Sequence, residues 1–244
     1  MINNLFLIIF LIFIGQTLGS IIGLIKKPGK SILHGSLAFA ASVMLSISFF
    51  QLMPESIKMS SIYFATAFFV FGIIIFWIID KMLPHINPEL MKKEKPSIKR
   101  SIAMLVIGMA LHNLPEGLAI GAGFARSSML GIIIALGIAA QDLPENIAVI
   151  VPVYGFTKKR LKSFIITAGT VLFEVIGFIL GYCLLKDTTL GLIAASLALA
   201  AGFMSYISIE ELIPSAQIKK YPKTCILSFV FGITCVLLIG FLIR

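Results

Sequence analysis

Residues 102–124 read IAMLVIGMALHNLPEGLAIGAGF. Apolar side chains fill both ends, and the run is long enough to cross the ~30 Å of a hydrocarbon layer, which takes about 20 helical residues. Yet His112, Asn113, Pro115 and Glu116 stand at its centre. A carboxylate at that depth costs about 3 kcal/mol or more unless it is protonated, hydrated or matched by a cation. One such acid can belong to a proton-sharing network that pins a helix bundle; several at one level point to a site.

Seven further blocks of the same character flank it. In chain order the expected spans are Leu5–Ile25, Leu37–Met53, Ile62–Ile79, Ile102–Phe124, Leu130–Val151, Phe164–Leu185, Leu190–Ile213 and Ile226–Ile243. The apolar residues lie in blocks and do not alternate, which excludes a β-barrel. With 59% hydrophobic and 13% charged residues, the chain lacks the charged surface of a soluble domain. The fold class expected is therefore all-α, a polytopic bundle of eight transmembrane helices. The polar stretch 81–100, with Pro84, Pro88 and Pro96, reads as a cytoplasmic loop. Three spans alone enclose no pathway, so residues 1–244 are read as a single transmembrane domain. Met1–Leu18 has no Lys or Arg ahead of its apolar core, so it reads as a retained first span and not as a cleaved leader.

The net charge of +9 suggests nucleic acid until its distribution is read. With the N-terminus outside, 16 of the 20 Lys and Arg fall in loops on the cytoplasmic side; only Lys58, Arg126, Lys186 and Arg244 do not. This is the positive-inside asymmetry of a prokaryotic inner-membrane protein with both termini extracytoplasmic, and no nucleic-acid partner is implied. Cys183, Cys225 and Cys235 show no CxxC spacing and suggest no disulfide framework.

Of the eleven acids, four lie inside expected spans: Glu116, Asp142, Glu145 and Glu174. No Lys or Arg accompanies them there. The segment His112-Asn-Leu-Pro-Glu-Gly117 is echoed by Gln141-Asp-Leu-Pro-Glu-Asn146 in the next span, which runs the opposite way. Such an echo suggests inverted repeats meeting at a midplane site. His112 and Glu116 share a helical face, as do Gln141 and Glu145. Pro115 and Pro144 free the carbonyls of Leu111 and Ala140, and a helix lining a wet cavity can satisfy them. Oxygen ligands with one imidazole suit Zn²⁺, Fe²⁺ or Mn²⁺ and not Cu(I). There is no HExxH, and His34 and His85 lie near the cytoplasmic face, so a catalytic zinc centre is not indicated. Glu55, Glu210 and Glu211, at the ends of the second and seventh spans, are either solvated helix ends or an outer entrance and an inner exit. Met44 reads as core packing or as part of the metal path.

At these residues the chain resembles the ZIP (Zrt/Irt-like) divalent metal transporters, in particular their prokaryotic GufA-like branch. The resemblance rests on the two Pro-Glu motifs, the eight spans, the outside termini and the long loop after the third span. It implies a binuclear site. One metal would be held by His112, Glu116 and Glu145, the other by Asn113, Gln141, Asp142 and Glu174, with Glu116 and Glu145 bridging. It also implies a homodimer. Asn146 departs from the family's Gly, Glu210 from its frequent His, and the loop holds only His85. These departures leave iron, manganese or cadmium beside zinc. The function expected is a carrier moving divalent metal into the cytoplasm, with no catalytic cofactor. The rival readings are an intramembrane metal-dependent hydrolase and a proton or sodium carrier.

Overall fold

Prolines decide how the helices of this chain are built. In the computed structural model, which describes residues 2–25, 28–82 and 98–242, the second and seventh spans each widen to a π turn before a proline. One turn is Ser48–Leu52, ahead of Pro54, with Met53 N–H reaching the Ser48 carbonyl. The other is Ser208–Leu212, ahead of Pro214, with Ile213 N–H reaching the Ser208 carbonyl. Proline lacks the N–H and crowds the carbonyl four residues back; one extra residue in the turn lets the helix pass it unbroken.

Among the described residues eleven α-helices follow in order: α1 Ile2–Ile25, α2 Lys30–Ile47, α3 Met53–Met59, α4 Ile62–Met82, α5 Ile98–Arg126, α6 Ser128–Thr157, α7 Arg160–Ala168, α8 Val171–Leu185, α9 Leu190–Ile207, α10 Ile213–Ser215 and α11 Pro222–Leu242. No strand occurs among the described residues, so the chain is all-α. Seven helical segments there are long and apolar enough to cross a membrane. The 29-residue α5 is not one of these seven.

The expected boundaries change in two places. The second span, expected as Leu37–Met53, runs through its π turn from Lys30 to Met59. The sixth is not continuous: α7 and α8 are separated at Gly169-Thr170, where Thr170 Oγ1 donates to the Thr167 carbonyl at 2.7 Å. The loop 81–100 with His85 lies almost wholly outside the described residues.

The core is apolar, but the surface is not that of a water-soluble protein. Large apolar side chains point outward, among them Phe6 (67% exposed), Leu227 (71%) and Phe241 (80%), while twenty polar or charged residues are buried among those described. That is the distribution a hydrocarbon solvent dictates. α5 packs along α8, α1 along α6, α2 along α11 and α4 along α9. The helices α4 and α11 are each 21 residues long; Ala65, Gly72 and Phe76 are buried in the first, and Cys225, Gly232 and Val236 in the second.

Candidate metal centre

Two close helix crossings bring the polar residues together. A Cβ on Gly117 of α5 would strike the Glu174 carbonyl, and one on Gly177 of α8 would strike the Leu114 carbonyl. Only glycine at both positions lets these backbones touch, which sets Glu116 and Glu174 at one level. On the other side Gly15 and Gly19 of α1 lie against α6, where an added Cβ would come within 2.9 Å of Asp142 Cβ and Asn146 Cβ respectively. Pro115 and Pro144 are carried inside uninterrupted helices.

Between these helices, one carboxylate oxygen from each of Glu116, Asp142 and Glu145 lies within 4.8 Å of the other two. His112, Asn113, Glu116, Gln141, Asp142, Glu145 and Glu174 are all buried, none more than 6% exposed. Gln141 Nε2 donates to Glu116 Oε1. Four buried acceptor atoms then have no hydrogen-bond partner among the described residues: Glu116 Oε2, Gln141 Oε1, Asp142 Oδ2 and Glu174 Oε1. Buried polar atoms are nearly always paired. Such a set of acceptor oxygens on adjoining helices, with no buried Lys or Arg among the described residues, can be balanced by protons, by water or by a cation.

His112 sits at the edge of this group. Its Nδ1 is 2.9 Å from the Gly108 carbonyl, so the proton belongs on Nδ1 and the Nε2 lone pair is presented outward. Nε2 lies 3.5 Å from Glu211 Oε2. The two adjacent acids of the seventh span therefore part: Glu211 turns to His112, and Glu210 is exposed. Beyond Glu211, Tyr206 donates to Asp80 Oδ2 at 2.8 Å, and both Glu211 Oε1 and Asp80 Oδ1 are buried without a partner among the described residues.

The remaining candidates are not among the grouped carboxylates. Met44 is fully buried in the apolar core with Ile47, Leu52 and Ile138. Glu55 pairs with Lys58 at 2.6 Å and lines a crevice of about 760 Å³ with Gln51 and Arg126. His34 stacks on Tyr221 with ring centroids 5.0 Å apart. His85 lies outside the described residues.

Sequence reading missed Gln16 and Thr170. Gln16 Nε2 donates to Glu174 Oε2 at 2.6 Å, and Asn113 Nδ2 donates to Gln16 Oε1 at 3.2 Å and to the Thr170 carbonyl at 3.0 Å. The one amide beyond the first turn of the apolar α1 was the available signal. Asn146, the departure in the second motif, is fully buried and donates to the Asp142 carbonyl at 3.1 Å, in room that Gly19 leaves.

A family model described as ZIP Zinc transporter matches residues 93–242, more than half of the chain. The chain is 34% identical over 210 residues to the zinc transporter ZupT of Enterobacter sp. (strain 638), covering 82% of this chain and 81% of that protein. It is also 34% identical over 214 residues to ZupT of Escherichia coli O7:K1 (strain IAI39 / ExPEC), covering 84% and 82%. ZupT of E. coli strain K12 / DH10B matches at the same identity and length.

Proposed function

The chain belongs to the ZIP zinc-transporter family, and from that membership we propose that it carries divalent metal, zinc foremost, across a membrane through the carboxylate-lined centre of its bundle. It is a multi-pass membrane protein of a transporter family, so the hydrolase reading falls away. The observation that carries the site assignment is the group of unpaired, buried oxygens around Glu116, Asp142 and Glu145. Iron, manganese and cadmium are further substrates that such a donor set admits. The sodium or proton carrier reading is set aside by the same family membership.

The finer reading is part of the same proposal. α5 is the eighth span, supported by its glycine-to-glycine crossing with α8. An inverted repeat relates the first three spans to the last three. Its support is the paired π turns before Pro54 and Pro214, and the matched pairings of α2 with α11 and of α9 with α4. Residues 1–244 form one membrane domain, and both termini face outward by the charge asymmetry of the loops. Two metal positions adjoin. His112, Glu116 and Glu145 hold one ion; Asn113, Gln141, Asp142 and Glu174 hold the other, with Glu116 and Glu145 shared. Glu55 stands toward the outer entrance and Glu211 toward the inner exit, followed by Asp80. The homodimer implied by the family resemblance belongs to this reading.

In this reading an arriving ion exchanges its water for carboxylate oxygens and thereby supplies the charge that the buried acids lack. The site then opens to one side of the membrane at a time. The test is uptake by purified protein in proteoliposomes offered zinc, iron, manganese and cadmium in turn. Protein-dependent accumulation of zinc supports the proposal; no movement of any of the four metals by correctly inserted protein refutes it.

A further inference from the structure

Gln16 stands in α1, a helix with no acidic first turn, no basic last turn and no motif of its own. Its side chain is fully buried, and both ends of its amide are engaged. Nε2 donates to Glu174 Oε2 at 2.6 Å. Oε1 accepts from Asn113 Nδ2 at 3.2 Å; the Thr170 hydroxyl, whose proton goes to the Thr167 carbonyl, is 3.4 Å away. The orientation is unambiguous. Exchanging its nitrogen and oxygen would set an amide oxygen against a carboxylate oxygen and two NH₂ groups against each other.

The consequence falls on the neighbours. The amino group of Asn113 is taken up by Gln16 and by the Thr170 carbonyl, so the atom it has left to offer a ligand is its oxygen. Glu174 spends Oε2 on Gln16 and keeps Oε1 buried without a partner among the described residues. Glu174 also lies in the first turn of α8, where the positive end of the helix dipole favours a carboxylate. The N–H groups of Asn113 are thus spent on Gln16 and Thr170, leaving its oxygen and Glu174 Oε1.

We propose that Gln16 is a positioning residue for the second metal position: it touches no ion itself and orients Asn113 and Glu174 so that both offer oxygen to it. The inference rests on the assignment of Asn113, Gln141, Asp142 and Glu174 to that position. The competing role is a structural pin that merely fastens α1 to α5 and α8. The two roles differ in what they do to the two ions. A positioning residue affects one binding step, whereas a pin lowers overall stability and weakens both steps together.

The experiment is a calorimetric zinc titration of the full chain in nanodiscs, wild type against Gln16→Met and Gln16→Glu, with thermal stability measured in parallel. Met keeps the length and removes both hydrogen bonds. Glu keeps an acceptor for Asn113 and replaces the donor to Glu174, so it reports even if the Met variant does not fold. Wild type is expected to bind in two steps. In either variant one step should weaken about 10- to 100-fold, the range for removing a group that orients a metal ligand, while the other stays within about twofold. Two unchanged steps, or an equal loss in both, overturn the inference. Fewer than two steps in wild type overturns the two-position reading itself and leaves Gln16 out of the result.

Discussion

Replacing Glu145 by Gln keeps size and hydrogen-bonding capacity and removes one charge from a group of three. The carboxylate oxygens of Glu116, Asp142 and Glu145 lie within 4.8 Å of one another. At that limiting separation each pair of ionised groups repels by about 3.5 kcal/mol with an effective dielectric of about 20. Removing one charge therefore relieves about 7 kcal/mol of repulsion. A divalent ion at the centre of such a triangle would be about 2.8 Å from each oxygen, so the same change removes about 12 kcal/mol of attraction. Attraction wins by about 5 kcal/mol, or between 10³- and 10⁴-fold in affinity at about 1.4 kcal/mol per decade. The Gln carbonyl recovers part of this as a neutral ligand, so the expected loss is at least about 100-fold. The assay is zinc titration of purified Glu145→Gln protein in nanodiscs, alongside uptake in proteoliposomes at matched protein density. Correctly inserted Glu145→Gln protein that binds zinc within about tenfold of wild type would refute the charge argument.

Asp142→Asn should remove one bound ion and leave the other, because Asp142 belongs to the second position alone; elemental analysis of the loaded protein counts them, and loss of both would exchange the roles of Asp142 and Glu145. Gly117→Ala drives a Cβ into the Glu174 carbonyl and to 2.7 Å from Phe178 N, so it should separate α5 from α8, lower stability by about 1–3 kcal/mol and abolish uptake; an unchanged melting temperature with full uptake would show that the crossing is not tight. A bound metal displaces protons from its ligands, so zinc affinity should fall as pH drops from about 7.5 to about 5.5, through the range in which histidine titrates; a flat calorimetric profile would contradict it.

Seven spans were legible because hydropathy needs no tertiary information, and the acids because any carboxylate in an apolar run is conspicuous. His112-Asn-Leu-Pro-Glu-Gly117 and Gln141-Asp-Leu-Pro-Glu-Asn146 gave the group Glu116, Asp142 and Glu145 from spacing and depth alone. What escaped depends on which faces meet. Gln16 is one amide among apolar residues, and only the packing of α1 against the site makes it a partner of Glu174 and Asn113. The break at Gly169-Thr170 has no proline to announce it. Glu210 and Glu211 are adjacent and chemically alike; the helical twist alone sends Glu211 to His112 and leaves Glu210 exposed. The second span was expected to end at Met53, whereas the π turn at Ser48–Leu52 carries the helix past Pro54 to Met59.

The most direct measurement is an anomalous difference map at the zinc edge from crystals of the zinc-loaded protein. The account predicts two peaks, one bounded by Glu116, Asp142 and Glu145 and its neighbour within reach of His112 Nε2. Zinc that appears only at surface residues, with no peak in contact with any of those three carboxylates, would contradict it.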